Sequence, residues 1–164
     1  MSSRVGAKAV AVAVLLLAAS PAWAEVRGRV VGVKDGDSIE VLAGARAVEV
    51  RLWGIDCPET GQPFGKQAKH FTSSAAFGKE VVVEERGRDR YGRLLGVVTL
   101  PDGRALNEEL VRAGLAWWYY AFAPKELGLA LLEKEAKGAR RGLWADPRAV
   151  PPWAWRKLKK GARS

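Results

Sequence analysis

Between Val26 and Leu100 the chain alternates short β-branched runs with turn-forming residues, and one helical stretch interrupts them. That pattern restricts the fold to a small β-rich architecture. Val26 to Val33 reads as a first strand, Asp35-Gly36-Asp37 as a turn, and Ile39 with Val41 as a second strand. After Ala43-Gly44, the residues Val48, Val50 and Leu52 alternate with Glu49 and Arg51. The alternation puts Arg51 opposite the core-facing residues, open to a ligand, and the strand is expected to continue to Asp56. Phe64, Ala68, Phe71 and Ala75 then mark one stripe of an amphipathic helix that Gly78 ends. Val81 to Val83 and Leu94 to Leu100 supply two further strands. Helices from about Leu106 to Ala113, and from near Pro124 to before Gly142, close the pattern. Five strands with a helix after the third predict a β-rich α+β fold, a five-stranded Greek-key barrel of the OB-fold kind with three helices.

The first 24 residues stand apart from this pattern. Arg4 and Lys8 precede an Ala/Val/Leu run from Ala9 to Ala19, and Ala22-Trp23-Ala24 offers the small residues of a cleavage site. The run is shorter than the roughly 20 residues needed to span a bilayer. Residues 1–24 are therefore expected to be a signal peptide, with an uncleaved anchor as the alternative. Residues 25–145 would form the domain, and 146–164 a Pro/Trp-rich basic tail draped over the surface and loose at its end. Export to a periplasm or the extracellular medium follows, without stable membrane association once the leader is gone. The chain carries 27 Lys and Arg against 18 Asp and Glu, a net +9, and the leader holds only two of the basic residues. Such a balance attracts polyanions, with nucleic acid or an anionic membrane surface as the natural partner. Cys57 is the only cysteine, which excludes an intramolecular disulfide, and with one histidine a Cys/His zinc site is excluded as well.

His70, alone on its helix, reads as a surface or core-edge residue, so two-histidine mechanisms and a Ser-His-Asp relay have no support. Carboxylates, arginines and a hard cation remain. Asp35 and Asp37 flank a glycine in a turn, Asp56 ends a strand, and Glu59 follows three residues later. Strand-end turns can collect the carboxylate and carbonyl oxygens that calcium takes. Each segment also has a plainer reading. Asp-Gly-Asp serves as an ordinary hairpin turn, and Asp56 to Glu59 has the spacing of a helix capping box. In Arg88-Asp89-Arg90-Tyr91-Gly92-Arg93, arginine forks could grip phosphate and the ring could stack on a base, or the loop could simply be a solvated hairpin tip. Trp117-Trp118-Tyr119-Tyr120 reads mainly as core filling, with one tyrosine able to face a ligand.

Taken in order, Asp35-Gly36-Asp37-Ser38, Arg51 with Asp56-Cys57-Pro58-Glu59, Asp89-Arg90-Tyr91-Gly92-Arg93 and Asn107 to Ala116 resemble the staphylococcal nuclease (thermonuclease) family. Arg141-Gly142-Leu143-Trp144 is similar too, so the likeness spans about residues 26 to 145. The resemblance implies calcium-dependent cleavage of DNA and RNA by a monomer that needs no protein partner. It implies one calcium ion held by the Asp37 and Asp56 carboxylates and the Cys57 carbonyl, with Asp35 in the outer shell. Glu59 would be the general base, Arg51 and Arg93 would stabilise the scissile phosphate, and Arg90, Tyr91 and Tyr120 would bind substrate. Two positions depart from the family: Cys57 stands where threonine is frequent, and Phe122 where the type member has a second tyrosine. The alternative is a noncatalytic OB-fold nucleic-acid-binding module, which would have no need of Glu59.

Overall fold

The computed structural model describes residues 24–161; the expected signal peptide lies outside the described residues, Ala24 apart. Strands β1 (Glu25–Asp35), β2 (Ser38–Ala43), β3 (Arg46–Leu52), β5 (Glu80–Arg88) and β6 (Leu94–Thr99) close into a barrel in the order β1-β2-β3-β6-β5. All neighbours are antiparallel except β3 and β6, and β5 returns to pair with β1. The period-2 pattern explains the closure: Val30, Ile39, Val41, Val50, Leu52, Val83, Leu94 and Val98 all point inward and are essentially inaccessible. The five-stranded barrel expected from the sequence is thus present. Among the described residues four α-helices accompany it, one more than expected, and none is long and apolar enough to cross a membrane.

β3 does not continue to Asp56. It ends at Leu52, because Gly54 adopts φ 77°, and the chain turns before the two-residue strand β4 (Ile55–Asp56). β4 pairs with β7 (Trp117–Trp118) in a separate two-stranded sheet outside the barrel. Helix α1 (Gly65–Ala76) covers the barrel with Ala68, Thr72 and Ala76, while Phe64, Phe71 and Ala75 lie only partly buried beside them. The buried stripe is rotated from the apolar one because the Thr72 hydroxyl, fully buried, donates to the carbonyl of Gly36. Helix α2 (Leu106–Arg112) packs on α3 (Leu127–Gly138), which begins three residues later than Pro124 and buries Leu129, Leu132 and Ala136. Leu127 and Leu131 stay exposed. A short 3-10 turn (Gly142–Ala145) leads on to α4 (Pro152–Gly161). Within the segment expected to be a tail draped over the surface, residues 152–161 form a helix, with Pro152 at its first position, where the missing N–H costs nothing.

Asn107 joins the barrel to this helical layer. Its buried carboxamide accepts from the Val98 N–H (3.0 Å) and donates to the carbonyls of Trp53 (2.8 Å) and Gly96 (3.2 Å). It thereby ties β6, the β3–β4 turn and α2 together. Replacing it takes this partner from the Val98 N–H and the Trp53 carbonyl, while the Gly96 carbonyl keeps the Trp53 N–H, at a cost of about 1–3 kcal/mol. Asn107→Ala is expected to lower the urea midpoint accordingly with an unchanged slope, measured by equilibrium unfolding.

Candidate active site

Of the residues singled out in the sequence, Asp35, Asp37, Arg51, Asp56, Cys57 and Glu59 meet where β2 leaves the Asp35–Asp37 turn and β3 passes into β4. The Asp35 carboxylate accepts from the Asp37 N–H at 3.1 Å, a side-chain turn that fixes the hairpin tip. Asp37 itself points inward. Its carboxylate accepts from the Cys57 N–H (2.7 Å) and the Ser38 hydroxyl (3.3 Å), and its carbonyl accepts from the Leu52 N–H. These bonds bring the turn against β4, so that residues 37 and 56 share one buried corner. Space there is small: a Cβ on Gly36 would fall 2.7 Å from the Ala68 Cβ and 2.8 Å from the Cys57 Cβ.

Across this corner runs an unbroken series of alternating charges. Arg51 reaches Asp37 at 3.0 Å and Asp56 at 2.6 Å. Asp56 is met from its other side by Arg156 of α4, at 2.8 Å, and Arg156 continues to Glu59 at 2.6 Å. The order is Asp37, Arg51, Asp56, Arg156, Glu59. Arg51 is thus not open on the outer face of β3. Its side chain keeps 19% exposure, because two buried carboxylates claim both ends of its guanidinium. Asp56 is 1% exposed, whereas Glu59 and Arg156 each keep 40% of their side chains in solvent. The open end of the series is therefore at Glu59.

Burial pushes the Asp37 carboxyl up to about 8, against the pull of Arg51, and Asp35 and Asp56 add to the push. Burial works against the charge of Arg51 and Arg156, yet their carboxylate partners raise both above the usual arginine value. Burial also raises the Cys57 thiol well above its ordinary range, with Asp37 and Asp35 adding to it. A neutral, buried thiol is neither nucleophile nor soft metal ligand, and the Cys57 side chain acts here as packing beneath Gly36. His70 is exposed on α1. The donors at the corner are oxygens only: the Asp37 and Asp56 carboxylates and the carbonyl of the adjoining Cys57. That set suits a hard cation that retains waters, and does not suit zinc. Among the described residues no three His, Cys, Asp or Glu side chains are close enough to hold an ion by themselves, so carbonyl and water oxygens would complete its shell.

The second constellation sits at the β5–β6 hairpin tip. Asp89 accepts from the backbone N–H groups of Tyr91 (2.8 Å) and Arg93 (3.0 Å) and from the Arg93 Nε (2.7 Å). Burial opposes ionisation of Asp89, but these bonds, with Arg93 foremost, hold its carboxyl below the ordinary value. Arg90 donates to the Tyr91 hydroxyl (2.7 Å) and lies 4.8 Å over the Tyr91 ring, with Arg93 at 5.7 Å. Tyr91 and Tyr120 are exposed, so both rings can meet a ligand from solvent. Phe122 is also exposed and packs on Tyr119 with centroids 4.7 Å apart.

Residues 49–146 match the family described as staphylococcal nuclease homologue. This chain belongs to the staphylococcal nuclease homologue family. It is 44% identical over 164 residues to a micrococcal nuclease of Shigella flexneri, a similarity covering 94% of each protein. It is 42% identical over 165 residues to Protein ParB of Escherichia coli, covering 95% of this chain and 93% of that protein. An uncharacterized endonuclease of Escherichia coli O157:H7 is 46% identical over 136 residues, 83% of this chain and 88% of its own. The family match ends before α4, so Arg156 lies beyond it.

Arg156 is the residue that local sequence reading misses. Its neighbours carry a usable signal, since Trp153 and Trp155 precede it in a helix opened by proline. Trp153 stacks on Tyr119 with ring centroids 5.0 Å apart and planes 3° from parallel. Gln62 adds a clasp: its side chain accepts from the Glu59 N–H and donates to the carbonyl of Val150. The Glu59 loop is pinned from below as well, because a Cβ on Gly65 would overlap the Glu59 carbonyl. Gly65→Ala must therefore displace Glu59. Overpacking of this kind costs about 1–3 kcal/mol, and the variant is expected to lose more activity than stability when cleavage of nucleic acid and thermal unfolding are compared.

Proposed function

We propose that this hydrolytic endonuclease is exported and cleaves the phosphodiester bonds of DNA and RNA as a monomer, with one calcium ion. The observation that carries the reading is the position of Glu59. It is the solvent-facing end of a charge series whose buried members are two carboxylates and an arginine. A carboxylate so placed can take a proton from water within hydrogen-bonding reach, and a protein that only binds nucleic acid has no use for it. Asp37 and Asp56 would hold the ion through their carboxylates and Cys57 through its carbonyl, with Asp35 in the outer shell. The ion would supply positive charge for the phosphate oxygens, and would favour the ionised form of Asp37 against the burial that pushes its carboxyl up. Arg51 fixes the two carboxylates and adds positive charge beside the reacting phosphate. Arg93, with Arg90, Tyr91 and Tyr120, would grip the strand on either side, the guanidiniums on phosphates and the rings on bases or sugars.

The purified protein, freed of residues 1–24, is expected to digest denatured DNA with calcium and to stop on addition of a chelator. Glu59→Gln is expected to lower kcat by at least about a hundredfold, the lower range for removing a general base, with little change in affinity for DNA. Full activity in that variant would sink the assignment of Glu59. Export is checked separately: N-terminal sequencing of the protein recovered from the cell envelope or medium is expected to begin at Glu25, and a retained leader would show an anchored protein instead.

A further inference from the structure

We propose that Arg156, delivered by α4, is a further phosphate-binding guanidinium of the active site, so that the C-terminal helix is part of the substrate-binding apparatus. The inference rests on the nuclease reading above and extends it to a residue outside the family match, which ends at 146. An arginine carries five N–H donors. Arg156 meets both oxygens of Asp56 end-on, Nη1 to Oδ1 at 3.4 Å and Nη2 to Oδ2 at 2.8 Å. The outer proton of Nη1 goes to Glu59 Oε1 at 2.6 Å. Three donors are thereby used. The two without a partner among the described residues are Nε–H and the outer proton of Nη2, which lie side by side along one edge of the guanidinium plane. That pair is a fork of the geometry that grips two phosphate oxygens bidentately. With 40% of the side chain exposed, the edge is reachable from solvent. Arg156 can take a phosphate without releasing either carboxylate.

The same contacts position the group. The free edge lies across the guanidinium from the Nη1 proton that Glu59 takes, so a phosphate held there is a neighbour along the strand of the one that the Glu59 water would attack. The helix that carries Arg156 is held rigidly enough for this. The Trp153–Tyr119 stack and the Gln62 bond to Val150 fix the start of α4 against the Glu59 loop. Lys159 stands beside Gly61, with its ammonium 3.3 Å from where a Cβ there would lie. The helix thus continues a basic surface outward from the site, along which a polyanionic strand can run. An inhibitory cap would instead have both edges of its guanidinium occupied by the protein, and here one edge is left over.

The test uses Arg156→Ala, Arg156→Gln and Arg156→Lys in the full mature chain, with thermal unfolding to confirm that each is folded. Binding of a fluorescein-labelled single-stranded oligodeoxynucleotide is measured in chelator over a range of salt, so that no cleavage intervenes. Arg156→Ala and Arg156→Gln are expected to bind about tenfold more weakly, as loss of one charge-assisted contact implies. The slope of log affinity against log salt should shrink by about 0.7, the value for one phosphate on a single strand. With calcium, kcat/KM should fall about tenfold, in step with the weaker binding. Arg156→Lys is expected to restore the salt slope but not the rate, because an ammonium offers charge without the fork. Unchanged binding and cleavage in the alanine and glutamine variants would overturn the proposal, and so would faster cleavage, which would make α4 a cap. If the parent protein fails to cleave, the nuclease reading falls instead, and the salt slope alone still decides whether Arg156 holds a phosphate.

Discussion

The carboxylate of Asp56 is 1% exposed, and a lone ion so placed costs several kcal/mol to desolvate. Two guanidiniums meet it from opposite sides, and much of the surrounding structure serves to bring them there. Arg51 comes from β3, one residue before that strand ends. Gly54 then turns the chain so that Asp56 leaves the barrel and faces back toward it. Arg156 comes from the far end of the chain, on a helix tied down by an aromatic stack and a glutamine bridge. Removing either arginine would leave a buried charge under-compensated, which is more costly than losing a surface ion pair. The same Asp56 oxygens are the natural donors for a hard cation, so stability and chemistry draw on one set of contacts.

Counting charges along the series clarifies what the site is built to accept. Three carboxylates alternate with two guanidiniums, which leaves one negative charge in excess when all are ionised. Protonating Asp37, whose carboxyl burial pushes up to about 8, brings the series to neutrality. With Asp35 counted as well, a divalent ion would bring the corner to neutrality with every carboxylate ionised. The chain as a whole is strongly basic, at +9, so a polyanion is drawn to the protein broadly while the centre itself carries no large excess of either sign.

Much of this was legible in the sequence, for identifiable reasons. Strand alternation depends on nearest neighbours, so the inward-facing Val50 and Leu52 are legible from residue order alone. Asp37, Arg51, Asp56 and Glu59 were grouped correctly because turns and strand ends are local. Thr72 was not, since its hydroxyl excludes it from an apolar stripe although it is fully buried and bonded to Gly36. The break of β3 escaped because a lone glycine inside an apolar run can equally mark a bulge within one strand. Arg156 escaped for a different reason. Its partners are 100 and 97 positions away, and no periodicity of a lysine-rich run reports on contacts that distant.

The placement of Arg156 also sets an order of events during synthesis. In a chain made from the N-terminus, every strand of the barrel and the helices packed on it precede α4. Domains commonly fold as they emerge, so the barrel can close while Asp56 still has only Arg51 beside it. The reaction centre is then completed by a segment that arrives after the scaffold, and the nascent protein is a shaped container before it is a competent one.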